Sequence, residues 1–106
     1  MKALVEFLSK NRQVQAVVGT LADYPLETFF SNFNINPRQV VSMEQVHGDK
    51  VAIIDELQQA VVAGVDGLLT QKPNVHLVVR TADCVPILLV DPVRRVVGAV
   101  HAGWRG

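Results

Sequence analysis

The chain has 106 residues, of which 49% are hydrophobic and 19% charged. That balance reads as one globular domain at most, not a disordered chain. Ten basic residues match ten acidic ones, so there is no electrostatic footprint for nucleic acid. No apolar run approaches the roughly 18–20 residues of a membrane span. The single cysteine, Cys84, excludes an internal disulfide, and MKALVEFLSKN is too short and amphipathic for a signal peptide, so a soluble cytoplasmic protein is expected.

In chain order, Ala3, Leu4, Phe7 and Leu8 recur at helical spacing and predict a short helix over 2–10. VQAVVG (14–19) reads as a buried strand. Pro25 can open a helical turn carrying Leu26, Phe29 and Phe30, and Asn34 to Pro37 is loop. The remainder is β-rich. QVVSMEQVH (39–47) places Val41, Met43 and Gln45 on one face, with Val40, Glu44 and Val46 giving no clean opposite face. Gly48-Asp49 then suits a two-residue II′ turn into KVAIID (50–55), which puts His47 at a strand end. Residues 56–65 are ambiguous between helix and strand. DGLLT (66–70), NVHLVVR (74–80), CVPILLVD (84–91) and RVVGAVH (95–101) complete the pattern.

The last hairpin allows a register to be worked out. Asp91-Pro92-Val93-Arg94 reads as a β-turn, with Asp and Pro at their favoured first and second positions. If Asp91 pairs with Arg94, Cys84 faces His101 in a non-hydrogen-bonded pair, Cβ atoms about 4.5–5.5 Å apart on one face. Pro86 then faces Ala99, where its missing N–H costs nothing on that ladder. Both faces of the hairpin are largely apolar, so the sheet needs layers above and below it.

Three histidines and one cysteine are available for chemistry. Cys84 and His101, with His47 beside its turn, offer a thiolate and two imidazoles, a donor set suited to zinc. Three protein ligands leave a fourth position open, as in catalytic zinc sites. The plain alternatives are that Cys84 is a small buried hydrophobe and His47 a turn residue. His76, among Val75, Leu77 and Val78, reads as structural or at a sheet edge. Four coppers would need many imidazoles, commonly in H-x-H pairs, and the chain has three His and no such pair. A blue-copper site could draw on Met43, but the short Cys–His–Met loop is missing.

QVHGDKV (45–51), DGLLT (66–70), TADCVPILLVDP (81–92) and GAVHAGWRG (98–106) together resemble the YfiH family. Its members are labelled laccase-domain or polyphenol oxidase proteins and were later recognised as purine nucleoside phosphorylases. The resemblance covers about residues 39–106, and the family's Gly- and Asn-rich segment ahead of QVHG is not recognisable in 1–38. It implies an α+β fold of mixed and antiparallel sheet layers with flanking helices. Members run to roughly twice this length and continue past HAGWRG, so the chain is expected to be the N-terminal part of a single such domain.

The same resemblance implies that His47, Cys84 and His101 bind one zinc, with copper as the alternative. It implies phosphorolysis of adenosine, inosine and methylthioadenosine to base and ribose 1-phosphate, with adenosine deamination beside it. The expected partners are purine nucleosides and phosphate, with no nucleic acid or membrane, and a homodimer is allowed. Deamination needs a proton shuttle, for which Asp83 and Asp49 are candidates; Asp83 adjoins Cys84 and would need an irregular backbone to reach the site. Phosphorolysis needs an anion site, for which Arg105, between Gly103 and Gly106, is the first candidate and Arg80 the second. Trp104 could stack on a base. The competing readings are a copper-dependent polyphenol oxidoreductase and a non-catalytic metal-binding fragment.

Overall fold

Alternation in Val40–Met43 buries Val41 and Met43 and leaves Val40 and Ser42 half-exposed, the period-2 signature of a strand covered on one face. In the computed structural model, which describes residues 14, 16–19, 26–55 and 60–104, this segment is β1. Two compact units are distinguished, residues 1–37 and 38–106. In the first, Leu26–Asn32 forms helix α1, with Phe30 buried and the rings of Phe29 and Phe33 tilted against each other, centres 4.9 Å apart. The expected helix over 2–10 lies outside the described residues. The strand expected over 14–19 is not formed at residues 14 and 16–19, and Val17 is exposed there. An apolar run specifies a strand only where a ladder partner and a core receive it.

Among its described residues the second unit has seven strands: β1 (Val40–Met43), β2 (Val51–Ile54), β3 (Val61–Val62), β4 (Gly67–Thr70), β5 (His76–Leu77), β6 (Val85–Asp91) and β7 (Val96–Ala102). They make a parallel three-stranded sheet, β3-β1-β5, and a mixed four-stranded sheet, β2-β4-β7-β6. With one α-helix among the described residues, the fold is α+β with mixed sheets. Val41 and Met43 from the first sheet meet Ile54 and Leu68 from the second in one core, closed by Val65 and flanked by Ala52, Val62, Val75, Leu77 and Val79. No helix among the described residues is long and apolar enough to cross a membrane.

Two expectations about turns are corrected. Residues 39–47 and 50–55 do not form a hairpin: β1 and β2 belong to different sheets, and each pairs in parallel with a later strand. The positive φ expected of Gly48 falls instead on His47, at 61°. The β6–β7 hairpin forms, but Asp91 pairs with Val96 and Pro86 with His101. Its loop is therefore four residues, Pro92–Arg95. The Asp91 carboxylate accepts the N–H groups of Val93 and Arg94 at 3.0 and 3.1 Å, and Arg95 closes the loop at φ 56°. A type I turn splays short hairpins, and the added left-handed residue restores the strand twist.

The slip is two residues, so every side chain keeps its face. Cys84 is a diagonal rather than a direct neighbour of His101. The His101 N–H points away from β6, to the Asp66 carbonyl at 2.8 Å, so Pro86–His101 is a non-hydrogen-bonded pair. Pro86, on an edge strand, turns its missing N–H outward. His76 sits on β5 at the edge of the three-stranded sheet, as its apolar neighbours suggested.

Candidate metal centre

The site lies at one end of the core between the sheets. The β4–β7 register pairs Gly67 with Val100. One step further along, Asp66 and His101 stand opposite each other with side chains on the core-facing side. His101 is 4% exposed and Asp66 2%. His101 Nδ1 lies 2.8 Å from Asp66 Oδ2.

The same carboxylate gathers the 46–48 segment. Its Oδ1 accepts the N–H groups of Val46 and Gly48, and its Oδ2 accepts that of His47, each at 3.0 Å. This holds the His47 backbone in the left-handed region and sets its ring 5.0 Å from that of His101, steeply tilted to it. Burial alone would raise the Asp66 carboxyl. The Gly48 N–H, the His101 ring and the N–H groups of Val46 and His47 outweigh it and hold the pKa at about 2, against an ordinary 3.8.

Cys84 arrives by a different route. The Gln45 side-chain amide donates to the Arg80 carbonyl at 2.6 Å and accepts the Arg80 N–H at 3.0 Å, standing in for a strand partner. That pins the segment leading to Cys84 beside the segment leading to His47. Residues 82–84 are bent, and Cys84 is half-buried just ahead of β6.

One ligand atom each from His47, Cys84 and His101 lies within 4.8 Å of the others. Gly103 borders them: a Cβ there would stand 3.7 Å from Cys84 Sγ and 3.9 Å from His47 Nδ1, so its absence leaves both uncovered. His47, Cys84, Gly103 and Trp104 line a half-open cavity of about 300 Å³. The donor set fits zinc: one thiolate and two imidazoles gathered at one point, His101 fixed and the less buried His47 and Cys84 able to adjust by small rotations.

The other sequence candidates fare differently. Asp83 sits on the bend beside Cys84, which supplies the irregular backbone it needed, but its side chain is exposed and outside the cavity lining. Asp49 is exposed as well. Arg80 is exposed, tied down through its backbone to Gln45. Trp104 is 87% exposed at the cavity mouth. Arg105 lies outside the described residues. Sequence reasoning gave no role to Asp66. Its signal was an acid directly ahead of the apolar strand GLLT, where a partnerless carboxylate would not be buried.

The family model described as multi-copper polyphenol oxidoreductase laccase matches residues 25–106. The chain belongs to this family. The match begins ahead of residue 39, where the sequence motifs start. The purine nucleoside phosphorylase ORF3 of Streptomyces griseus is 46% identical over 77 residues, covering 71% of this chain and 31% of the relative. The adenosine deaminase RL5, from an unknown prokaryotic organism, is 39% identical over 87 residues, covering 74% of this chain and 33% of the relative. The crystal structure of the hypothetical protein YfiH from Bacillus licheniformis superposes with a TM-score of 0.67 at 32% identity, over 72% of this chain and 32% of that one. This YfiH-family chain thus spans about a third of the length of the curated relatives it matches.

Proposed function

We propose that the chain carries the metal-binding part of a zinc-dependent purine nucleoside phosphorylase with adenosine deaminase activity. The observation that carries the reading is the convergence of His47, Cys84 and His101 on one point, with His47 and Cys84 in the wall of a cavity that Trp104 also lines. The names of the relatives from Streptomyces griseus and the unknown prokaryote supply the two reactions.

His47, Cys84 and His101 would hold the zinc, which when bound would supply Lewis acidity. The chain's own residues bind and orient around it. Trp104 offers an aromatic face to a purine, and Gly103 keeps the approach to the ligands clear. Arg105 is the candidate for binding phosphate by its charge and its place in the motif, and Asp83 is the nearest exposed carboxylate in sequence to Cys84 for moving a proton. In phosphorolysis a phosphate oxygen bonds C1′ while the C1′–N9 bond breaks, its electron pair leaves with the purine, and a proton restores the neutral base. In deamination water replaces the C6 amino group, which leaves as ammonia.

A second reading, copper-dependent polyphenol oxidation, draws on the family description alone. Three histidines fall short of a four-copper set, and the described residues gather one three-ligand cluster. The test is to load the protein with zinc or with copper and assay each form on adenosine with and without phosphate, and on a catechol. The zinc form should release adenine only with phosphate, and inosine with or without it. Catechol oxidation by the copper form, with adenosine untouched by the zinc form, would overturn the proposal in favour of the second reading.

A further inference from the structure

We propose that Asp66 is the positioning residue of the metal centre: its one carboxylate fixes the ring of His101 in the Nδ1–H form and fixes the backbone that presents His47. The inference rests on the metal reading above.

Four donors converge on two oxygens. Oδ1 takes the Val46 and Gly48 N–H groups, and Oδ2 takes the His47 N–H and His101 Nδ1. Three of the donors are backbone amides that cannot reverse their role, so the carboxylate acts as acceptor throughout. Oδ2 therefore accepts from Nδ1 as well, which puts the ring proton there and leaves Nε2 with a free lone pair for a metal. No other side chain offers this selection: Asp66 is the hydrogen-bond partner found for the His101 ring among the described residues, and both groups are almost fully buried.

The His47 half is independent. A non-glycine residue at φ 61° carries backbone strain and persists only where its surroundings hold it. Here the N–H groups of three consecutive residues, centred on His47, are held by one carboxylate. Two ligands separated by 54 positions in sequence thus depend on a single side chain from a third segment.

Asp66→Asn tests both halves, because an amide has one acceptor oxygen where the site needs two. With its NH₂ in the Oδ2 place, the amide donates to His101 Nδ1, moves the ring proton to Nε2 and blocks the ligating atom. With its NH₂ in the Oδ1 place, it confronts the Val46 and Gly48 N–H groups and releases the His47 turn. Either orientation weakens zinc binding, by the 10–100-fold expected for loss of such a partner.

The experiment measures zinc affinity by chelator competition in wild type and D66N, together with ¹H–¹⁵N correlation spectra of the histidine rings. The expected result is 10–100-fold weaker zinc in D66N and, in the zinc-loaded wild type, a proton on His101 Nδ1 with the metal on Nε2. Zinc bound equally well by D66N, or through His101 Nδ1 in wild type, would overturn the inference while leaving the metal reading intact. Wild type taking up no zinc would overturn both. A merely structural Asp66 would lower the melting temperature of D66N without moving the ring proton. If D66N does not fold, the wild-type spectra alone decide the tautomer.

Discussion

Asp66 shows how much one side chain can organise. A buried carboxylate is tolerated only with its lone pairs filled, and here four donors fill them. Its folded pKa of about 2 lies below the ordinary 3.8, so the ionised form favours the fold. The sign follows: the contribution is fully present above the unfolded value and is lost as pH falls through the folded one. The metal-free protein should lose about 2 kcal/mol of stability between roughly pH 4 and 2 from this group. Urea titrations at stepped pH would check it, and D66N should show a flatter dependence across that window. Identical pH slopes in the two proteins would contradict the account. The three metal candidates were legible from residue type and motif. Asp66 was not, because its role depends on β4 lying beside β7, a pairing 35 residues apart that no local pattern announces.

At the scale of elements, the β6–β7 hairpin shows which parts of a register argument are robust. Two-residue steps counted outward from the turn assigned the faces, and turn chemistry identified Asp91-Pro92 as the start of the loop. The loop length was misjudged because Arg95, a residue with no turn preference, takes the left-handed place usually given to glycine. The error was even-numbered, so Cys84 and His101 stayed on one face. Arg95→Gly should therefore stabilise the protein by about 0.5–1 kcal/mol, relieving the φ penalty less the entropy glycine adds to the unfolded chain. A thermal melt reads this directly, and a lowered melting temperature would contradict it. The II′ turn at Gly48-Asp49 failed for a different reason. Parallel partners for β1 and β2 outcompete the local hairpin, and the His47 backbone is instead claimed by Asp66.

At the scale of the whole molecule, the core is small and centred on few residues. Leu68 and Val41 are completely buried and face each other's sheets. Leu68→Ala should cost about 2–5 kcal/mol, from lost burial plus an unfilled cavity. Chemical denaturation would show it, and a loss under 1 kcal/mol would mean the core is not packed as described. The opposite face of the four-stranded sheet carries Val51, Ile53, Ile87 and Leu89, all exposed, with Ile53 at 72%. Ile87 and Leu89 belong to the hairpin that reads as apolar on both faces, while the other face of the sheet carries Ile54 and Leu68 into the core with Val41 and Met43. Ile53→Thr with Leu89→Thr should lower binding of a hydrophobic dye while changing stability by less than about 1 kcal/mol. Undiminished dye binding would show that the face does not carry the exposed apolar surface.

The central claim is that His47, Cys84 and His101 share one metal ion. X-ray absorption at the zinc edge on the zinc-loaded protein tests it most directly. The account predicts one sulfur scatterer at about 2.3 Å and nitrogen or oxygen scatterers at about 2.0–2.2 Å, two of them imidazole, with the sulfur lost in Cys84→Ser. A wild-type shell of nitrogen and oxygen alone would contradict it.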